Sequence, residues 1–181
     1  MKLGLPALRV ILGGLFVGHG LQKLAGKFGG HGPEGTGQFF ETLGLRPGKT
    51  HAIAAGAAEA GGGALIAAGA ATPVAATLLS GTMITAIRTV HGPKGPWASE
   101  GGYEYNLVLL AAIFAITDAG PGPISIDGLS GRSRWGVLWA LAQLAAGAAG
   151  SGAAIAYGRS RGEPDAAPAR ESEHAPVHAA S

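Results

Sequence analysis

The sequence predicts an all-α transmembrane helix bundle, on three observations. Charged residues make up 13% of the chain, against about 25% in soluble domains. Mean hydropathy is +0.28. Five apolar segments approach the roughly 20 residues that carry a helix across the hydrocarbon core. The 181 residues include 33 Gly, which weakens helices in water but lets bilayer helices approach closely. The lipid bilayer is therefore the first expected partner, and the expected location is the cell membrane, as a multi-pass protein. The absence of Cys excludes disulfides, thiol redox centres, iron–sulfur clusters and Cys-ligated zinc. A net charge of +2, spread along the chain, gives no nucleic-acid footprint.

The first span runs from about Leu3 to Leu24. A signal peptide is the competing reading, but Arg9 interrupts the apolar region and no small-residue cleavage pattern follows. The second and third spans, His51 to Ala71 and Pro73 to His91, form a tight hairpin, with Pro73 at a helix start. The fourth covers Tyr103 to Ala119 and stops at the breakers GPGP. The fifth covers Trp135 to Tyr157, with aromatic residues at both ends, where interface anchors belong. From Gly158 onward the chain is polar, Pro-bearing and aperiodic, as a disordered tail would be. Between the first two spans, Phe39, Phe40, Leu43 and Leu45 predict a short interfacial helix within 35–45.

Alternating helix directions bring the end of span one, the start of two, the end of three and the start of four to one membrane face, the polar end. His19, Gln22, Lys23, Arg88, His91 and Glu104 gather there. Glu59 lies eight residues past His51, roughly 12 Å below the start of its span. It shares a helix face with Ala52, Ala55, Gly56, Gly62, Gly63 and Ile66. A charge at that depth costs about 2.5–3.5 kcal/mol on insertion scales, so Glu59 should be paired or face a polar cavity. Arg88, at the end of a Thr77, Gly81, Thr85 stripe, and Lys23 are the candidate partners.

A bland account competes with a functional one. An intramembrane Glu–Lys or Glu–Arg pair can simply fix helix register, and Lys or Arg near a span end can snorkel. His31, His51, His174 and His178 read as solvated loop or tail residues. Arg9, Asp118 and Asp127 read as interfacial anchors at the opposite face, and Arg132 and Arg134 as juxtamembrane charges. GLRPGKT at 44–50 fails as a phosphate loop, having three residues where four are required between its glycines. Gly14 and Gly18 stand at GxxxG spacing, a helix-packing signal. No metal site is expected, and His19 with His91 is weak grounds for a haem.

The pieces LGGLFVGHGLQKL, FGGHGPEGTGQFFETLGL, AAGAAEAGGGALIAAG, TVH and WASEGGYEYNLVLL, ending in GPGPISID, resemble the DoxX family of small four-helix bacterial membrane proteins. The resemblance covers about Arg9 to Asp127. It implies a DoxX-like four-helix membrane domain over 1–128; the added transmembrane helix at 129–157 and the tail at 158–181 depart from the family's pattern. It also implies an accessory or quinone-site subunit of a membrane-associated oxidoreductase or oxidative-stress complex, since some members form subunits of a thiosulfate:quinone oxidoreductase. The electrons would come from a soluble or membrane redox partner, because no residue of the chain can carry them. Glu59, His19, Lys23, Arg88 and His91 are then the candidate catalytic residues. Gln22, Glu104, Tyr103, Tyr105 and Trp97 are the candidate substrate contacts. The alternative is a small transporter, or a scaffold without redox role, built around the buried acid.

Overall fold

The computed structural model describes residues 3–131 and 134–162, and no strand occurs among them. Lys2, Arg132, His174, His178 and the expected tail beyond 162 lie outside the described residues. The helices are α1 (Gly4–Ala25), α2 (Gly32–Thr42), α3 (Gly48–Ala68), α4 (Thr72–Ala86), α5 (Glu104–Ala119), α6 (Ile126–Leu129) and α7 (Val137–Ser160). The helix α4 continues through a π-turn, Ile87–His91, into a 3-10 turn, Gly92–Lys94. Three helical stretches are long and apolar enough to cross a membrane: Gly4–Ala25, Thr72–Lys94 and Val137–Ser160. Among the other two expected spans, α5 is short at 16 residues, and α3 is diluted by Gly, Lys49, His51 and Glu59.

Glycine fixes where the helices touch. A side-chain carbon at Gly13 would fall 2.4 Å from the Gly63 carbonyl oxygen, and one at Gly20 would fall 2.4 Å from the Ala60 nitrogen. Positions 14 and 18 have open space around them, so the GxxxG pair is not the contact. The face that meets α3 is one helical phase away, and Gly13 and Gly20, seven residues apart, carry it. Gly62 seats Leu79 of α4 against α3. Between these contacts lie Leu12, Phe16, Ile66, Leu79, Ile113 and Ile116, all buried.

The fifth long helix is not a separate appendage. It packs along α4, with Gly147 against Gly81 and the Ser80 hydroxyl donating to Gln143 Oε1 at 2.8 Å, both side chains buried. It also extends beyond the expected Tyr157, into the stretch assigned to the tail. Its last turn reaches the polar end, where Gly158 lies against Leu45 and accepts a backbone hydrogen bond from Arg46. The short helix expected between the first two spans is α2. It starts earlier than the Phe39–Leu45 cluster, and Leu43 to Leu45 form the turn after it. The Lys49 ammonium on Glu34 ties α2 to the start of α3.

At the opposite end, Arg9 and Asp127 are buried rather than interfacial. The Arg9 guanidinium donates to the carbonyls of Pro121, Ile124 (2.8 Å) and Ala67 (3.4 Å), gathering the turn after α5 onto the α3–α4 hairpin. Asp127 accepts from the N–H groups of Ala71 and Thr72 and from the Thr72 hydroxyl, at 3.0, 2.9 and 2.9 Å. Its charge thereby satisfies the first turn of α4. Buried backbone groups need partners, and these two side chains supply them where both loops would otherwise face each other bare. Gly69 is required at this corner: its φ is 63°, and a side chain there would strike Arg9 and Ser125.

Candidate functional site

A cavity of about 820 Å³ opens within the bundle, walled by α1, α3, α4, α5 and α7, with Phe39, Phe40 and Leu45 toward the polar end. Its walls are mainly apolar, with polar groups on α1, α3, α4 and α5 and the Ser151 hydroxyl on α7. That combination and size fit a small-molecule site, where volumes run from about 300 to 1,000 Å³.

The centre of the polar set is Glu59, 4% exposed on the buried face of α3. Lys23 reaches across from α1, and its Nζ donates to Glu59 Oε2 at 2.5 Å. The pair exists because the small faces of α1 and α3 bring the backbones close: Gly56 lies against Lys23 and Leu24. Glu59 is therefore interior and paired, as its depth predicts.

Arg88, the other expected partner, does not meet it. Its guanidinium turns to α7, donating to the Ala148 carbonyl at 3.2 Å and the Ser151 hydroxyl at 3.3 Å. The Thr77–Gly81–Thr85–Arg88 stripe is the face of α4 that α7 covers, whereas α3 packs against Ala75 and Leu79 on another flank. A four-helix reading leaves that stripe free to face Glu59; the fifth helix takes it.

His19 and His91 both line the cavity. Gln22 Nε2 donates to the Phe28 carbonyl at 3.1 Å, which points Gln22 Oε1 at His19 Nδ1, 3.0 Å away. His91 Nδ1 lies 2.7 Å from the Gly101 carbonyl. In both rings the neighbour of Nδ1 accepts only, so Nδ1 carries the hydrogen and Nε2 is the acceptor of the neutral ring. The π-turn gives His91 this reach, an extra residue in the turn displacing it from the α-helical phase.

The substrate contacts divide. Tyr105 lines the cavity, but Gln22, Tyr103, Glu104 and Trp97 do not. Gln22 acts one step back, by orienting His19. Glu104 accepts from the Ala98 N–H at 3.0 Å and holds the loop before α5, and Trp97 is 64% exposed.

Asn106 and His51 were not expected among the lining residues. Asn106 is buried, and the contact of its amide is the Met83 sulfur at 3.4 Å, a weak acceptor. Its spacing to Leu109 and Ile113 puts it on the apolar face of α5, and that was the available signal. His51 is no solvated loop residue: it is the fourth residue of α3, its ring is 5.9 Å from that of Tyr157, and its buried Nε2 has no partner. Among the described residues, no group of His, Asp and Glu is arranged to hold a metal.

Comparison with known proteins places this arrangement. The Bacillus subtilis (strain 168) protein "Putative oxidoreductase CatD" is 38% identical over 116 residues, 64% of this chain and 80% of that relative. The DoxX family model matches residues 4–92. The chain belongs to the DoxX family. With three helices of membrane-crossing length and apolarity, this DoxX protein is a membrane protein. No solved structure matches it at a significant level. The DoxX match holds His19, Lys23, Glu59, Arg88 and His91 but ends before α5 and α7, so two walls of the cavity lie beyond it.

Proposed function

We propose that this DoxX protein is the quinone-site subunit of a membrane oxidoreductase, crossing the cell membrane several times and receiving electrons from a redox partner. The carrying observation is the Lys23–Glu59 pair in the wall of a large, mainly apolar cavity. The relative's name is consistent with this reading. A quinone would supply the electron-accepting chemistry that no side chain of this chain provides. Lys23 Nζ would donate a hydrogen bond to one ring carbonyl, and the Asn106 amide, partnered by sulfur alone, is the donor for another. Glu59 and the Nε2 atoms of His19 and His91 are the groups beside the cavity that can hold and pass a proton. The apolar walls exclude water, which strengthens each of these polar contacts.

The polar end faces the cytoplasm in this reading. Lys23 and Arg88 are spent on internal partners. By sequence position that leaves Lys27, Arg46, Lys49, Lys94, Arg159 and Arg161 at this end against Lys2, Arg132 and Arg134 at the other, and positive charge favours the cytoplasmic side.

The test is equilibrium binding of a short-chain quinone to the protein in lipid nanodiscs. Wild type and Glu59→Gln should bind, and Lys23→Met should bind at least about tenfold more weakly, the size of one lost charge-assisted hydrogen bond. Absence of binding to the wild type would refute the reading. In the complex with its electron donor, Glu59→Gln should lose turnover at matched folded protein. Unchanged turnover would remove Glu59 from the proton path.

A further inference from the structure

The cavity extends beyond its polar cluster. On α3, Ala54 and Ala58 line it from a different side than Glu59, Ala58 being turned by about 100° around the helix. Opposite them, α7 presents Gly150 and Ala154, one turn apart. The floor between the two helices is Leu78 and Thr82 of α4. At the polar end α3 and α7 meet, His51 against Tyr157 and Gly158. Farther along, Ala54, Leu78 and Gly150 are all exposed, so an uncharged groove runs between the helices along the apolar flank of the bundle.

We infer that this groove carries the linear apolar tail of the quinone whose ring lies at Lys23, and that α7 thereby selects the ligand by tail. The inference rests on the proposed quinone site and adds the class of quinone: long-chain, membrane-dissolved molecules. Three observations support it. Groove and polar cluster form one continuous cavity of about 820 Å³, near the top of the range for small-molecule sites and roomy for a ring alone. Apart from the hydroxyls of Thr82 and Ser151, each hydrogen-bonded within the protein, the groove walls are small and apolar, suited to a flexible chain and to no charged group. Gly150 has nothing within 4 Å of where a side chain would start, so the space is open at the point a tail would pass.

That open space makes the test clean. Gly150→Leu fits the helix without backbone clash and fills the groove. Gly61→Leu is the control: the space at Gly61 is equally open, but the residue does not line the cavity. Affinities are measured in nanodiscs for a quinone with a single isoprenoid unit and for its long-chain counterpart, each referred to its concentration in the bilayer. Gly150→Leu should weaken the long-chain quinone by about tenfold or more, the range for a methylene-sized misfit, and leave the short-chain quinone unchanged. Gly61→Leu should change neither. Equal affinities of wild type and Gly150→Leu for the long-chain quinone, or an equal loss for both quinones, would overturn the inference and leave the quinone site standing. Displacement of co-purified phospholipid from the groove without any chain-length effect would assign the groove to an acyl chain instead. Failure of both quinones to bind the wild type would refute the quinone site itself, and the inference with it.

Discussion

Lys23 and Glu59 face each other where water is scarce, and each has the other as its counter-charge. Breaking a buried pair from one side strands the remaining ion, at a cost of about 3–5 kcal/mol. Lys23→Met should therefore lower the unfolding free energy by about that amount in detergent, whereas Lys23→Met combined with Glu59→Met should recover most of it. A double variant no more stable than the single one would show that the pair contributes nothing specific. Glu34, by contrast, sits in water on α2. The Lys49 hydrogen bond, then its own backbone N–H, then the Lys49 charge hold its carboxyl below the ordinary value. A carboxyl depressed on folding stabilises the fold above its unfolded pKa of about 4.3, and that contribution disappears as pH falls through the folded value. NMR titration of Glu34 should show the depressed midpoint, and Lys49→Met should return it to the ordinary carboxylate range. At this scale the sequence exposes depth but not direction. Glu59 is legible as an interior acid because a carboxylate that far into an apolar helix has no other stable place. Arg88 is not, because the same helix offers flanks to α3 and to α7, and the choice between them is made by tertiary packing.

The joint between α4 and α7 depends on two glycines. A side chain at Gly147 would approach the Gly81 nitrogen to 2.9 Å and the Thr77 carbonyl to 3.1 Å, and backbone cannot yield there. Gly147→Val should destabilise the protein by about 1–3 kcal/mol, the usual cost of overpacking, and free Arg88 and Gln143 from their partners. Thermal unfolding in matched detergent measures it, with Gly61→Val as the reference for an open position. A Gly147→Val protein as stable as the reference would show that α7 is loosely attached. The helices themselves are readable from apolar length, and their ends from Pro and Gly. The contact faces are less so: Gly13, Gly14, Gly18 and Gly20 stand close together in sequence, and only the partner helix decides which of them is covered. The spacing of Asn106 to Leu109 and Ile113 carried the missing information about α5.

As a whole molecule the protein lends itself to topology mapping, because it contains no Cys and each introduced one is a unique label site. If α3 and α5 cross along with the three long helices, the five crossings put Gly4 and Lys27 on opposite faces and Lys27 and Arg161 on the same face. Gly4→Cys should react with a membrane-impermeant maleimide from one side of the membrane, and Lys27→Cys and Arg161→Cys from the other. Labelling of Lys27→Cys and Arg161→Cys from different sides would remove α7 as a crossing.

The Arg9 and Asp127 cluster gives the bundle two unlike ends. Their side chains occupy the carbonyls and N–H groups of the turns they join, and none of those turns lines the cavity, which instead extends to the exposed Ala98 turn at the polar end. In the proposed reading the cavity would open to one compartment alone. Protons taken up during quinone reduction would be drawn from that compartment, making it alkaline during turnover, while the far side keeps its pH. The subunit would then act as a vectorial proton sink, its contribution to the membrane potential set by the side on which its electron donor docks.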